Sequence, residues 1–178
     1  MLNISTLDWD QDLIKLFELE KINLPEIKKN ADDFGSTTLF GGDIKISGMA
    51  GDQQAALFGQ TCFEAGDIKS TYGTGCFLIL NTGNQILRSQ NKLLTTIGYK
   101  IDQEVVYALE GSIFIAGALI QWLRDKMKFF ISAPESEGLA KIANENSELI
   151  IVPSFTGLGA PFWNPDIKGS IHGISLDT

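Results

Sequence analysis

The feature that most constrains this chain is a strand-to-helix turn at residues 44–60. A β-branched run at Ile44–Ile46 leads through two glycines to Asp52, and an Ala-, Leu- and Phe-containing segment follows. This order predicts a short buried strand, a tight turn and a helix that runs to about Phe63. Catalytic groups are often found at such a turn, because the strand end fixes the group and the turn exposes it.

Asp52 allows two interpretations from the local pattern. Its carboxylate can simply cap the helix by accepting hydrogen bonds from the first unpaired N–H groups. It can also act as a chemical group that the turn presents to a substrate. Capping is the commoner role of an Asp at a helix start, so the local pattern alone favours the cap.

The composition is that of a soluble globular protein and argues against nucleic-acid-binding and membrane-spanning proteins. The 178 residues are 44% hydrophobic and 20% charged, which is enough apolar material for a sizeable core. A formal net charge of -8 repels nucleic acid, so a nucleic-acid partner is not expected. No stretch has the length of a membrane span or the layout of a signal peptide, and we expect a cytoplasmic protein.

The two cysteines, Cys62 and Cys76, predict buried free thiols. They lack metal-like spacing, and the single His172 cannot complete a tetrahedral zinc site. We therefore expect no metal ligands of the zinc type in this chain.

The first half of the chain changes from helical to β character. Residues 1–30 predict helix, with a second short helix that begins at Leu24-Pro25. A break near residues 64–67 is the expected domain boundary. Four β-branched or aromatic runs separated by Gly, Asn and Asp then predict a four-stranded meander, namely Ile68–Tyr72, Phe77–Asn81, Leu93–Tyr99 and Val105–Glu110.

The last third predicts a long amphipathic helix followed by mixed structure. Ser112 can cap this helix, and apolar residues at helical spacing from Ala116 to Phe130 share one of its faces. We also expect a helix over residues 134–144 with Leu139 and Ile142 inward. The remaining segments predict a buried strand over 149–153, a Gly- and Pro-rich loop over 155–165 and a strand over 169–174.

Gly117 and Gln121 lie four residues apart near the start of the long helix. A glycine inside a helix costs about 1 kcal/mol relative to Ala. Its presence therefore indicates a close approach at this point, either by a ligand or by a neighbouring backbone. The pattern does not separate these two interpretations.

The segment Thr71-Tyr-Gly-Thr-Gly-Cys-Phe77 predicts a hairpin turn with a glycine on each side of Thr74. Such glycines let several N–H groups point to one place, and the Thr74 hydroxyl adds a donor that suits a phosphate oxygen. As a bare pattern the segment is more often a plain turn. It is not a Walker loop, because no Lys-Ser/Thr follows.

Asp52, the hairpin and the Gly117–Gln121 helix start together suggest phosphoryl transfer. In that reaction a carboxylate accepts the proton of an attacking hydroxyl. A backbone cradle and a metal ion hold the nucleotide phosphates. The combination is more informative than any of its members.

Four motifs, in order along the chain, make it similar to the FGGY carbohydrate kinases, and in particular to the members that phosphorylate glycerol. They are residues 47–60, 71–77, 109–125 and 152–163. The resemblance covers essentially the whole chain and implies an α/β, ribonuclease H-like fold of the actin and hexokinase type. It implies an incomplete fold in which residues 1–65 end the N-terminal (substrate) domain and residues 66–178 begin the C-terminal (nucleotide) domain.

The resemblance also implies a role for each matched residue. Asp52 matches the catalytic base, which also touches the substrate, Gln53 matches a glycerol contact, and Phe77 matches an aromatic ring on the glycerol carbons. The implied nucleotide contacts lie in the hairpin and at the start of the long helix and are Gly73, Thr74, Gly75, Gly117 and Gln121. The implied reaction converts glycerol to glycerol 3-phosphate with ATP and Mg²⁺, and ADP is the second product.

Three alternatives stay open beside a glycerol-phosphorylating enzyme. The chain can be a non-catalytic remnant, one half of a split kinase, or part of a sister kinase for a sugar or polyol. Because the substrate clamp and adenosine site of the family lie outside the matched motifs, we expect little or no turnover by this chain alone. Cut domains expose apolar surface, so a homo-oligomer or a complementing chain is the expected partner.

Overall fold

The computed structural model describes residues 1–145 and 147–176. The elements in chain order are β1 (Leu2–Asn3), β2 (Asp8–Trp9), α1 (Gln11–Leu16), β3 (Ser36–Thr37), β4 (Ile44–Lys45), α2 (Asp52–Gly59), β5 (Ile68–Tyr72), β6 (Cys76–Gly83), β7 (Leu94–Ile101), β8 (Glu104–Ile113), α3 (Gly117–Asp125), α4 (Glu135–Ile142), β9 (Ile150–Val152) and β10 (Ser170–His172).

A four-stranded sheet with strand order β5-β6-β8-β7 contains all four predicted β runs. Their short β-branched and aromatic stretches suit a pleated, half-buried surface, and the turn residues between them end each strand. The predicted meander is wrong in its order, because β8 lies between β6 and β7. Strand order depends on pairing between distant residues, which local patterns do not specify.

Three two-stranded antiparallel pairs lie outside this sheet. Leu2 is opposite Trp9 in the β1–β2 pair, and Ser36 is opposite Lys45 in the β3–β4 pair. In the β9–β10 pair Ile151 is opposite Ile171, which confirms strands in both of the predicted C-terminal segments. The predicted burial of the first of these strands is wrong, because Ile150 is 60% exposed.

The chain divides into two compact units. The first contains Met1–Lys69, Ile79–Ser89 and Leu94–Leu109, and the second contains Ser70–Leu78, Gln90–Leu93 and Glu110–Thr178. The boundary that we place between residues 65 and 66 stays a prediction. No helix within residues 1–145 and 147–176 is both long enough and apolar enough to cross a membrane.

Leu57 of α2 lies at the centre of the core of the first unit. It has no exposed area and packs in one cluster with Cys62, Ile79 and Ala108. A Cβ on Gly98 of β7 would lie 3.1 Å from the Leu57 Cδ2 atom, so this glycine lets helix and strand approach closely. The contact fixes α2 through its inner face and thereby sets the position of the helix start.

Both predicted buried thiols are confirmed as buried and free. Burial raises the pKa of the Cys62 thiol above its ordinary value, and the charge of Asp67 adds to the increase. The thiol of Cys76 lies 3.2 Å from the Ser70 hydroxyl. Cys62 is therefore a small apolar core residue whose thiolate form is disfavoured.

The helical prediction for residues 1–30 is wrong outside the six-residue α1. The Asn3 side chain accepts from the backbone N–H of Ser5 at 3.0 Å and donates to Asp10 at 2.9 Å, and such bonds compete with helix. Asp10 instead caps α1 by accepting from the N–H of Leu13 at 3.0 Å.

The short helix expected at Leu24-Pro25 is also absent from this described segment. A proline disfavours helical geometry at the residue before it. The Trp9 indole N–H donates to the Pro25 carbonyl at 3.1 Å, so a contact with a distant residue holds this non-helical segment.

The long helix is shorter than its apolar pattern predicts. Strand β8 continues to Ile113, so Ser112 is no cap, and Ala116 takes the N-cap position. Helix α3 ends at Asp125, and Lys128 beyond it has a left-handed φ of 58°. Phe130 is buried even so, but outside the helix.

Several predicted inward residues are exposed. Ile44 and Ile46 are 46% and 39% exposed, so the strand before the turn is not buried. Leu139 and Ile142 of α4 are 41% and 81% exposed. An apolar pattern identifies the face that would pack, but it is buried only where another segment covers it.

We predict that Leu57→Ala lowers the free energy of unfolding by about 2–5 kcal/mol, because it removes buried methyl groups and leaves a cavity. Urea denaturation followed by circular dichroism measures this loss. The matched control is Leu39→Ala, since Leu39 is 86% exposed. The control should stay within about 0.5 kcal/mol of the parent chain. Equal losses in the two variants would contradict a core centred on Leu57.

Candidate functional site

Asp52 is the first helical residue of α2 and is exposed. The N-cap is Gly51, whose carbonyl accepts from the N–H of Ala55 at 2.8 Å. The cap interpretation of Asp52 is therefore wrong, because the N-cap position is taken by Gly51 and no side chain caps the helix. A carboxylate in the first turn is nevertheless stabilised by the partial positive charge of the helix N-terminus.

The Asp52 carboxylate is oriented by its neighbour. Gln53 Nε2 donates to Asp52 Oδ2 at 3.0 Å. Within the described residues this is the one hydrogen bond of the Asp52 side chain, so Oδ1 stays available as an acceptor. The geometry leaves one carboxylate oxygen open at an exposed helix start.

Lys69 lies beside Gln53 in the candidate site, and the sequence did not predict it. Its ammonium donates to Gln53 Oε1, and its side chain is only 1% exposed. The sequence offered one sign of it, a charged residue inside the predicted strand Ile68–Tyr72. The pattern of that strand gave no reason to expect that this lysine is buried. Asp52, Gln53 and Lys69 all belong to the first unit.

In the second unit, backbone hydrogen bonds join the hairpin to the start of α3. The Gly73 carbonyl accepts from the N–H of Gly117 at 2.9 Å. The Thr74 carbonyl accepts from Ala116 at 2.8 Å and from Ala118 at 3.2 Å. These three amides are therefore engaged by the loop and cannot also bind a phosphate.

Two of the predicted glycines are required by close backbone contact. A Cβ on Gly75 would lie 2.5 Å from the Ile113 carbonyl oxygen, and one on Gly117 would lie 2.6 Å from the Gly73 carbonyl oxygen. For Gly117 the neighbouring backbone is thus a sufficient reason for a helical glycine. Its role as a nucleotide contact stays a prediction.

The other predicted residues of the second unit lie on the hairpin, on α3 and on β6. Thr74 is exposed at the tip of the hairpin, and its hydroxyl makes no hydrogen bond within residues 1–145 and 147–176. Gln121 is exposed one helical turn beyond Gly117, and Phe77 is half-buried in β6. The structure therefore brings Gly73, Thr74, Gly75 and Gly117 together and places Gln121 on the adjoining turn.

The segment after β9 is held by contacts within the second unit. The predicted loop over 155–165 is confirmed, and the Trp163 indole N–H donates to the Lys92 carbonyl at 2.8 Å. The Trp122 ring of α3 lies 5.1 Å from the Phe155 ring. The ring contact ties the loop to α3, the helix that also holds the hairpin, and the indole bond ties it to the segment before β7.

Two clefts on the first unit had no signal in the sequence, because residues distant along the chain form them. A polar cleft of about 420 Å³ is lined by lysines and acids that include Lys28, Lys100 and Asp32. The backbone N–H of Asp33 lowers the pKa of Asp32. An apolar cleft of about 390 Å³ lies beside Phe58. Gln54, the residue after Gln53, lines both clefts.

Comparison with protein families now defines the class to which this fold and site belong. Residues 68–178 match the C-terminal domain of the FGGY family of carbohydrate kinases. The chain belongs to the FGGY family of carbohydrate kinases, which confirms the resemblance seen in the four motifs.

The chain is also similar to particular curated members. It is 56% identical over 180 residues to the glycerol kinase of Rhizobium rhizogenes and 54% identical over 179 residues to that of Streptococcus uberis. These matches cover 100% and 99% of the chain. The chain spans 36% of the length of each of these relatives.

Solved structures show the same architecture. A structure of Plasmodium falciparum glycerol kinase with ADP superimposes with a TM-score of 0.86 at 40% identity, over 99% of this chain and 36% of that one. A ligand-bound xylulose kinase from Lactobacillus acidophilus superimposes with a TM-score of 0.77 at 23% identity, over 98% and 36%. Together with the family match, these neighbours confirm the predicted α/β fold of the actin and hexokinase type as part of a longer fold.

We predict that Gly117→Ala lowers the free energy of unfolding by about 1–3 kcal/mol, because its Cβ would push the Gly73 carbonyl away. Amide hydrogen exchange at Ala116 and Ala118 should accelerate, since their hydrogen bonds to Thr74 weaken. The matched control is Gly138→Ala in α4, where an added Cβ meets nothing within 4 Å.

The control should gain about 0.5–1 kcal/mol from reduced chain entropy in the unfolded state. Unchanged hydrogen exchange at both amides in Gly117→Ala would contradict the hairpin–α3 junction.

Proposed function

We propose that this chain supplies the catalytic base and part of the nucleotide-binding site for the ATP-dependent phosphorylation of glycerol to glycerol 3-phosphate. The 54–56% identity to glycerol kinases over the whole chain supports this proposal. The observation that carries it is the exposed Asp52 carboxylate at the start of α2, with Oδ2 bound by Gln53 and Oδ1 open.

In the proposed reaction Asp52 acts as a general base. Its Oδ1 atom accepts the proton of a glycerol hydroxyl while that oxygen forms a bond to the γ-phosphorus. The bond between this phosphorus and the β,γ-bridging oxygen breaks, and ADP departs with the bonding electrons. We assign glycerol contacts to Gln53 and Phe77, whose amide and ring suit hydroxyl groups and a carbon chain.

We assign the nucleotide phosphates to the hairpin. The exposed Thr74 hydroxyl is a donor suited to a phosphate oxygen, and the junction with α3 fixes the loop that carries it. Glycine at positions 73, 75 and 117 keeps side chains out of this junction. We also assign a contact with this nucleotide to Gln121, which lies one turn farther along α3.

Magnesium is proposed only as the companion of the nucleotide. A bound magnesium ion would neutralise part of the negative charge of the nucleotide phosphates during transfer. Residues 1–145 and 147–176 contain no group of three or more His, Cys, Asp or Glu side chains that could hold a metal ion. No catalytic step is assigned through a magnesium ion.

The proposed partners follow from the length of the chain and from its surface. The chain spans 36% of the length of its relatives, and we propose that polypeptide outside these residues supplies the remaining parts of a complete active site. Exposed apolar residues such as Phe40 and Ile131, 80% and 91% exposed, favour a complementing chain or a second copy as partner. An enzyme that consumes ATP needs a compartment that contains ATP, so we propose a cytoplasmic location.

We predict that these 178 residues support catalysis when they replace the matched segment of the Streptococcus uberis glycerol kinase. The chimeric enzyme should form ADP in a glycerol-dependent reaction. Asp52→Asn should lower its kcat by about 10²- to 10⁴-fold, because the base is lost while the shape is kept. A coupled spectrophotometric assay of ADP formation measures both rates.

The matched control is Asp43→Asn, another exposed acid of the first unit, which should leave kcat within about twofold of the chimera. The chain by itself should show little or no turnover. An Asp52→Asn chimera as active as the Asp43→Asn chimera would refute the assignment of the base.

A further inference from the structure

We propose that Lys69 is a positioning residue for the catalytic base and acts on Asp52 through Gln53. The proposal rests on the proposed function, since it concerns the carboxylate assigned there. The three side chains form one hydrogen-bonded series in the first unit, in which Lys69 Nζ donates to Gln53 Oε1 and Gln53 Nε2 donates to Asp52 Oδ2.

Lys69 is fully buried, which is unusual for a lysine. Lys69 is 1% exposed and is among the largest fully buried side chains of the described residues. Lysine is almost never fully buried unless its ammonium is paired, because removing a charge from water is costly. The contact with Gln53 therefore compensates part of a large desolvation cost and holds the amide firmly.

The chemistry of the donors and acceptors sets the direction of the Gln53 amide. An ammonium only donates hydrogen bonds, and an ionised carboxylate only accepts them. Gln53 lies between the two, so its oxygen has to face Lys69 and its NH₂ group has to face Asp52. Lys69 thereby determines which end of the amide meets the carboxylate. With the amide reversed, its oxygen would face Asp52 Oδ2 and repel it.

The consequence concerns the orientation of the base. Asp52 is exposed at the start of α2, where an unrestrained carboxylate would rotate among several rotamers. Binding of Oδ2 by an amide of fixed direction leaves Oδ1 to accept the substrate proton. A base oriented by a further group is a general feature of activated catalytic sites. Small misplacements of reacting groups can lower a rate about 10²-fold.

A purely structural role for Lys69 is the competing explanation. In that case the ammonium would only help to join β5 to α2, and its loss would affect stability without acting through the amide. The two explanations differ in whether the effect of Lys69 depends on Gln53, and a double-mutant cycle measures this dependence.

The first experiment is a double-mutant cycle on kcat in the chimeric enzyme. Lys69→Met keeps the length of the side chain and removes the charge and the donor. We expect it to lower kcat about 10- to 100-fold with a smaller change in KM for glycerol, because the base is misoriented. In a Gln53→Ala background the same substitution should change kcat less than about twofold.

Lys69→Arg keeps a cationic donor and should recover part of the lost kcat if the hydrogen bond to Gln53 is what matters. Equal factors for Lys69→Met in the two backgrounds would overturn the proposal and support the structural role. So would a Lys69→Met enzyme with unchanged kcat.

The second experiment uses the 178-residue chain and needs no change at Lys69. Nitrogen-15 NMR of the Gln53 side-chain amide should give two separate proton signals whose solvent exchange is at least about tenfold slower than that of exposed Gln103. Exchange as fast as at Gln103 would overturn the proposal even if Lys69 variants fail to fold.

The two proposals fail in different ways. An active Asp52→Asn chimera would remove the proposed base, whereas the NMR result would still show whether Lys69 and Gln53 hold the carboxylate. A protected Gln53 amide with no kinetic coupling to Lys69 would leave the base in place and overturn the positioning role.

Discussion

The packing of Leu57 against β7 is the interaction on which the geometry of the first unit depends. It fixes one face of α2 over a strand that carries Gly98, so the helix can lie close to the sheet. Asp52 and Gln53 begin this helix, and their positions follow from the way it packs. A chemical group on a helix start is only as well placed as the core beneath that helix.

The second unit achieves precision by a different physical means. Its hairpin and α3 are joined backbone to backbone, with the Gly73 and Thr74 carbonyls bound by the first amides of the helix. Such contact is possible only where no Cβ intervenes, as at Gly75 and Gly117. The first unit therefore holds its candidate groups through side-chain packing and a buried ammonium, and the second holds its loop through main-chain hydrogen bonds.

The sequence predicted these features to different depths. The strands were predictable because β-branched runs lie between turn residues. The position of Asp52 at the start of a helix was predictable because a turn directly precedes a helical segment there. The strand order was not, since it depends on pairing between residues distant along the chain. The helical prediction for residues 1–30 failed because contacts such as the hydrogen bond from Trp9 to Pro25 override helical spacing. Lys69 escaped because its burial and its bond to Gln53 exist only in the folded chain.

The measurement that tests the central claim most directly is a crystal structure of the chimeric enzyme with glycerol and a non-hydrolysable ATP analogue. The account predicts that Asp52 Oδ1 lies about 2.6–3.2 Å from a glycerol hydroxyl, the range for direct proton transfer. It also predicts that Oδ2 remains bound by Gln53. A glycerol molecule held away from Asp52, with another side chain on its attacking hydroxyl, would contradict the account.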